Sequence, residues 1–386
     1  MKLIYCTKCV MPNTKPDLFF DKDGVCDACR SSELKHAKTK GINWKERRRK
    51  FEKIISKYRS KNGYYDCIVP VSGGKDSHYQ AHMMKVIYKM HPLFVCFEAT
   101  NITELGKKNL ENIRQFGDLI YFKKDPEVYK KMVIEAFKRV GDNEWPNHLG
   151  IFTIPVQIAV KFKIPLLIWG ENVQLEYGGP ATSRNKNYLD RRWLEEFGGL
   201  LGNRTDDMLE VDGITKEDLT IYRYPHDKDL KRVGVTGLFL GYFFKWDARK
   251  QTELVIKKYG FSVKEDGPIE GTYTNHENLD EAHQGVHDYL KFLKYGFCRA
   301  TDHACLDIRN NRISRQEGLE LVKKYDGKYP HYGVKKFIEY SRLSKKEIDL
   351  VFDRFTNKQI FKIDKHGKLC RDIAGNLIKN NYDNKS

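Results

Sequence analysis

The chain has 386 residues, 40% of them hydrophobic, 12% aromatic and 31% charged. That is enough apolar side chain for roughly two to three domains with buried cores, and it excludes a wholly disordered or collagen-like protein. The formal net charge is +17, and residues 1–62 hold 17 Lys/Arg against 7 Asp/Glu, which suits either an anionic partner or a solvated face. There is no 18-residue apolar run and no apolar core of a secretory signal near the N-terminus, so a cytoplasmic protein without membrane contact is expected.

Residues 1–62 read as a first module. The nine cysteines are odd in number, which argues against a disulfide framework. Four of them form two knuckles, CTKC at 6–9 and CDAC at 26–29. Cys6, Cys9, Cys26 and Cys29 therefore match a closed tetrahedral Zn²⁺ site, structural rather than catalytic. Residues 44–60 predict a basic amphipathic helix, with Trp44, Phe51, Ile54, Ile55 and Tyr58 near a 3.6-residue period. Asn62-Gly63 is a turn signal.

Residues 63–260 alternate strand and helix. Strands are predicted at 64–71, 92–99, 118–123 and 164–170, and again near 236. Helices are predicted from the SGGKDS loop to about Met90, at 103–116, 126–140 and 151–162, and before 259. This alternation specifies an α/β fold with a parallel sheet covered by helices on both faces. Gly-rich stretches at 178–180 and 198–202 mark an insertion of loops and short helices. Residues 261–386 change to a mainly helical region, with helices at 279–295, 314–325, 330–341 and 344–355. A hairpin at 358–372 follows.

The strongest chemical signal is PVSGGKDSH at 70–78, between a strand and a helix. Ser72, Gly73, Gly74, Lys75, Asp76 and Ser77 combine close backbone approach, N–H donors at a helix start, two hydroxyls, a cation and a carboxylate. The spacing is not that of a Walker loop. It resembles the SGGxDS loop of the PP-loop ATP pyrophosphatases, which implies ATP cleavage between the α- and β-phosphates, with Lys75 and Asp76 at the chemistry and Asp76 orienting Mg²⁺.

Glu171, Asn172 and Glu176 follow the fourth strand and are expected in the same crevice, with helix capping as the alternative. The block at 298–318 brings Arg299, Asp302, Arg309, Arg312 and Arg315 together, as a phosphate or carboxylate pocket or as surface ion pairs. Ser314 and Glu317 form a capping box. Structural roles are preferred for Cys298 and Cys305, and a solvated helix face for His283 and His287 over metal ligation.

Taken together, CTKCVMPNTKPDLFFDKDGVCDAC, SGGKDS, WGEN followed by EYGGP, FFKWDARKQ and RATDHACLDIRNNRISRQEG resemble the N-acetyl sugar amidotransferase family, which includes PseA-type and WbpG-type proteins of bacterial surface-glycan biosynthesis. The resemblance runs from about Tyr5 to Asp372. It implies ATP-dependent conversion of an N-acetyl group on an activated sugar to an acetamidino group, through an O-adenylate attacked by ammonia. It also implies that ammonia comes from partners similar to a HisH-like glutaminase and a HisF-like synthase subunit, because no glutaminase signature is evident in the chain. The alternative is a tRNA-modifying sulfurtransferase of the same fold. Against it, the catalytic region lacks a CxxC pair, and nucleic acid is not the expected partner.

Overall fold

The computed structural model describes residues 3–178, 188–189, 200 and 202–380. Most of the Gly-rich insertion expected at 178–202 lies outside the described residues. Five parallel strands form the sheet: β1 (Cys67–Pro70), β2 (Pro92–Phe97), β3 (Leu119–Phe122), β4 (Leu166–Trp169) and β6 (Thr236–Phe239). A two-residue strand, β5 (Tyr188–Leu189), pairs antiparallel with β6, and the order is β3-β2-β1-β4-β6-β5. The α/β class and the parallel sheet are as the alternation predicts.

Strand residues alternate between two cores, as the two-residue period of a strand dictates. Ile68, Leu93, Val95, Phe97, Leu167 and Trp169 face one side, against helices α5 (Pro126–Val140) and α6 (Trp145–Phe162). Cys67, Val69, Phe94, Cys96, Leu166 and Ile168 face the other, where α2 (Trp44–Ile55) contributes Phe51 and Ile55. The helix α3 (Lys75–Ala81) continues as a wide turn over His82–Ile87. Helix α4 (Glu104–Asn112) starts on the Thr103 side chain, which accepts from Gly106 N. Helix α6 begins earlier than the expected 151, because Pro146 sits in its first turn, where the missing N–H is harmless.

The C-terminal region holds helices Gln284–Tyr295, Arg299–Arg309, Arg315–Tyr325, His331–Ser341 and Lys345–Phe355. Two features depart from expectation. The helix predicted from 279 starts only at Gln284, and the residues before it cross the carboxyl end of the sheet, where Glu281 bridges to Ile102. The Arg-rich block is itself a helix from Arg299 to Arg309. Ser314 and Glu317 do form the capping box of the next helix. At 358–372 the chain turns back as expected, with Ile363 bridging to Leu369, and a further return pairs Phe361 with Lys379.

The three sequence segments share cores. Helices after 284 supply Val286, Tyr289, Leu290, Phe337 and Phe352 to the core beneath α5 and α6. The cysteine module packs Val10, Met11, Val25 and Ala28 against Phe297, Ala304, Cys305 and Val322.

Candidate functional site

β1 neighbours β2 on one side and the parallel β4 on the other, so the order in which the chain adds strands reverses between β1 and β4. In open α/β sheets ligands bind in the crevice beyond the carboxyl ends of the strands at such a switch. The loop after β1 is Ser72–Ser77, and the segment after β4 is Gly170–Asn172, so the fold brings these two sequence signals to one crevice.

Within the loop, Ser72 N donates to Ser77 Oγ at 2.9 Å and Gly74 N donates to Ser72 Oγ at 3.3 Å. The Gly74 carbonyl is 3.0 Å from His78 Nδ1. Gly73 has φ of +90°, and a Cβ there would lie 2.7 Å from Leu110 N, so only glycine fits this turn. The first turn of α3 then presents N–H groups that have no intrahelical partners.

Lys75 is buried at this helix start. Its Nζ lies 2.6 Å from Asp76 Oδ2 and 3.1 Å from Glu277 Oε1. Burial opposes its charge, but the carboxylates of Asp76 and Glu277 more than compensate and hold it well above the usual lysine range. Glu277 is half-buried, which opposes its charge, yet Lys75, His303 and His276 pull its pKa down to about 2. Glu171, half-buried at the end of β4, is pushed up to about 8 by burial and the Asp76 charge. Asp76 Oδ1 is buried without a hydrogen-bond partner. A buried, unsatisfied carboxylate oxygen in this turn could ligate a divalent cation.

The raised Glu171 pKa carries a pH prediction. The folded state binds the Glu171 proton more tightly than the unfolded chain, so stability falls as pH rises from the ordinary 4.5 towards 8. Glu171→Gln is expected to flatten this part of the stability profile. Urea melts at several pH values that superimpose for the two proteins would show that Glu171 is not the group responsible.

Two adjoining lobes open from the crevice, of about 360 and 640 Å³, and both are lined by Glu171, Ala248, Glu277 and His303. The smaller adds Trp246, Tyr273, His276 and Arg312. The larger contains Lys75, Asp76 and several further cations, among them Lys15, Lys291, Lys294 and Arg299. Among the described residues neither lobe is lined by a cysteine.

The expected polar residues distribute as follows. Arg299 reaches the larger lobe while forking onto Asp288 with two bonds of 2.8 Å. Asp302 reaches it too, paired with Lys291. Arg312 edges the smaller lobe, held by Asp307 at 3.0 Å and by Asp247. Asn172 is buried, and its Oδ1 accepts from Leu175 N at 3.1 Å, capping the short helix α7 (Val173–Tyr177). Glu176 lines the smaller lobe but is neutralised by Lys35, whose Nζ lies 2.6 Å from both carboxylate oxygens. Lys35 lies on α1 (Asp27–His36), so this buried pair ties the cysteine module to the end of β4. Lys35→Met is expected to lower stability by about 3–5 kcal/mol by stranding the Glu176 carboxylate, and adding Glu176→Leu to restore much of it. Equal unfolding free energies for the Lys35→Met variant and the wild type would show that the pair does not hold the module.

Arg309 and Arg315 do not join the crevice. The Arg309 guanidinium lies over the thiol cluster, 3.5 Å from Cys29 Sγ and from Cys9 Sγ. Arg315 Nε reaches Cys9 O at 3.1 Å and Cys6 O at 3.3 Å. In that cluster Cys6 and Cys29 sulfurs lie 3.9 Å apart and those of Cys9 and Cys26 3.7 Å. Metal–sulfur bonds of about 2.3 Å in a tetrahedron give sulfur–sulfur edges of about 3.8 Å. Backbone N–H groups of Cys9 and Cys26 point to Cys6 Sγ, at 3.5 and 3.2 Å. The four buried cysteines thus form a cluster that can hold a metal, beside which the Arg309 guanidinium would offset part of the thiolate charge.

Sequence reasoning missed Glu277, the second carboxylate on Lys75. It sits in the stretch TNHENLDEAH, which matches no motif and reaches the loop only because it crosses the sheet. Lys15, Lys35 and Trp246 were not singled out either.

Fold and site together define an α/β protein with an SGGKDS loop at the switch point of a parallel sheet and a four-cysteine cluster packed beside it. Residues 270–374 match the family model described as LPS biosynthesis protein WbpG-like, C-terminal domain, which agrees with the resemblance read from the sequence blocks. This is the segment that supplies Glu277, Arg299, Asp302 and His303. A protein of Methanocaldococcus jannaschii named as uncharacterized protein MJ1599 is 26% identical over 137 residues, 35% of this chain and 47% of that protein. The chain thus spans about half the length of that relative. Among solved structures, the U34-tRNA thiolase NcsA of Methanococcus maripaludis with its 4Fe-4S cluster aligns over 89% of this chain and 97% of its own, at 12% identity and a TM-score of 0.27. No helix among the described residues is long and apolar enough to cross a membrane.

Proposed function

We propose that this protein is an ATP-dependent amidotransferase that converts an N-acetyl group of an activated sugar to an acetamidino group, forming AMP and pyrophosphate, in surface-glycan synthesis. The observation that carries this reading is the meeting of two signals in one crevice. The SGGKDS loop lies at the carboxyl end of β1, and the WbpG-like segment, with the LPS-biosynthesis association of its family, lines the same cavity through Glu277, Arg299, Asp302 and His303.

An amide carbonyl is a poor electrophile and its oxygen a poor leaving group. Attack of that oxygen on the α-phosphorus of ATP expels pyrophosphate and gives an O-adenylate. Ammonia then adds to the former amide carbon and AMP departs, leaving the amidine. The chain's part is positioning and charge stabilisation. The Ser72–Ser77 turn and Lys75 would hold the leaving pyrophosphate, while Glu277 keeps Lys75 charged and aimed. Asp76 and its unsatisfied oxygen would hold Mg²⁺, which when bound would supply charge neutralisation. Arg299 and Arg312, each fixed by carboxylates at the edge of a lobe, suit the anionic parts of the sugar substrate. The cysteine cluster would hold Zn²⁺ as a structural ion, since all four positions are thiolates and none is open.

The sulfurtransferase reading has less support, because neither lobe presents a cysteine among the described residues that could carry a transferable sulfur.

The test is AMP release with nucleotide-linked N-acetyl sugars. The isolated chain should use ammonium salts, better at high pH because ammonium has a pKa of about 9 and free NH₃ is scarce near neutrality, where effective concentration limits the step. It should not use glutamine. A HisH/HisF-like pair should confer glutamine dependence, with the exposed face of α2, including Lys45, Arg48 and Arg49, as the proposed dock. ADP and phosphate as products, or glutamine hydrolysis by the chain alone, would refute this assignment.

A further inference from the structure

The segment that crosses the sheet carries a second cluster, separate from the cysteines and from both lobes. Glu144, at the junction of α5 and α6, meets Glu281 and His283 in a fully buried group. His283 Nε2 lies 3.3 Å from Glu281 Oε1 and 3.6 Å from Glu144 Oε1. Neither contact is a hydrogen bond, and both ring nitrogens of His283 are buried without a partner although the residue has no solvent exposure. The ring is held in place between Phe337 and Tyr340, with centroids 5.3 and 5.2 Å away. The amide oxygen of Asn143, whose Nδ2 donates to Glu144 Oε1 at 2.9 Å, is likewise buried and unsatisfied.

Buried polar groups in native proteins are nearly always partnered, and an imidazole with two orphaned nitrogens beside two carboxylates lacks something. We infer that Glu144, Glu281 and His283 bind a divalent transition-metal ion of the Zn²⁺ or Mn²⁺ kind. The spacing fits: bonds of about 2.0–2.1 Å to nitrogen and oxygen in a tetrahedron put ligand atoms about 3.3 Å apart. One imidazole and two carboxylates suit such cations, and two carboxylates neutralise a dication, with Lys124 the nearby cation acting on both. The carboxylates are already oriented by other groups. Asn147 Nδ2 donates to Glu144 Oε2 at 3.0 Å, and Asn101 N donates to the Glu281 carboxylate at 3.0–3.1 Å. Such supporting bonds are what fixes ligands in metal sites.

The position gives the ion a structural task. The strand-like segment also carries Glu277 to Lys75, brings the Asp280 carboxylate to Ser72 of the loop, and is tied to the start of α4 by Thr103 N, which donates to Asp280 O at 3.2 Å. An ion at Glu144, Glu281 and His283 would pin this segment, and with it Glu277, to the α5–α6 junction.

The test counts metal in the full-length protein, loaded with excess Zn²⁺ and desalted. About two ions per chain are expected, falling to about one in Glu144→Gln and in His283→Ala. Glu144→Gln keeps shape and guards against loss of fold, which circular dichroism checks. Co²⁺ added to the wild type separates the sites without any variant. Bound at the cysteines it shows intense thiolate charge-transfer bands, and at the second site only weak visible bands, which both variants should lose. One ion per chain in the wild type, or two retained in Glu144→Gln, would overturn the inference. Neither outcome depends on the enzymatic reading, which the AMP assay tests separately.

Discussion

Asp76→Asn is expected to abolish AMP formation, by at least about 100-fold, while leaving the melting temperature nearly unchanged. The side chain is partly exposed, and Lys75 keeps Glu277 at 3.1 Å as its remaining counter-charge. Lys75→Met should behave differently. It removes the buried cation on which Asp76, Glu277 and Glu171 converge, and leaves their carboxylates facing one another. A stability loss of about 3–5 kcal/mol should accompany the loss of activity. Parallel steady-state assays and thermal melts of the two variants distinguish a group that serves the reaction from one that also holds the site together. Wild-type AMP formation by Asp76→Asn would remove the carboxylate from the proposed chemistry.

Cys9→Ser should give unfolded or aggregated protein rather than a folded enzyme with lower turnover. A structural ion in a small module contributes on the order of 10 kcal/mol to its folding. Here the consequences spread, because the cluster shares its core with Phe297, Ala304, Cys305 and Val322. Without bound metal the Arg309 guanidinium also loses the thiolates it covers. Limited proteolysis of wild type treated with a strong chelator should therefore cut both the first 40 or so residues and the helices after 298, not the N-terminal module alone. A metal-free protein that stays folded with four freely titrating thiols would overturn the assignment.

Much of this architecture is legible in the chain because its determinants are local. Short, nearly continuous apolar runs with helices between them specify parallel strands, and the five expected strands are present. The cysteine knuckles read correctly as a cluster because the i, i+3 spacing already places two thiols together before any tertiary contact forms. The SGGKDS loop lands at the switch point because a strand, a tight glycine turn and a helix start are contiguous in sequence. The capping box at Ser314 and Glu317 is legible for the same reason, since both halves of the motif lie within one helical turn.

What a charged side chain does once the chain is folded was not legible. The Arg-rich block reads as a pocket or as surface ion pairs, but it folds as a helix, a turn and the start of a second helix. Arg299 and Arg312 go to the cavity, and Arg309 and Arg315 to the cysteine cluster. Glu176 reads as a ligand and is met by Lys35, 141 residues earlier. His283 and His287 read as a solvated pair. The structure buries His283 beside Glu144 and Glu281, and turns His287 to Asp142 at 2.7 Å. Sequence spacing by itself determined the sheet, the loop and the thiol cluster, because those depend on backbone periodicity and near neighbours. The partner of each buried charge was decided only by tertiary structure, because burial makes every ion find its counter-charge through space, and nothing in the local sequence records which one that is.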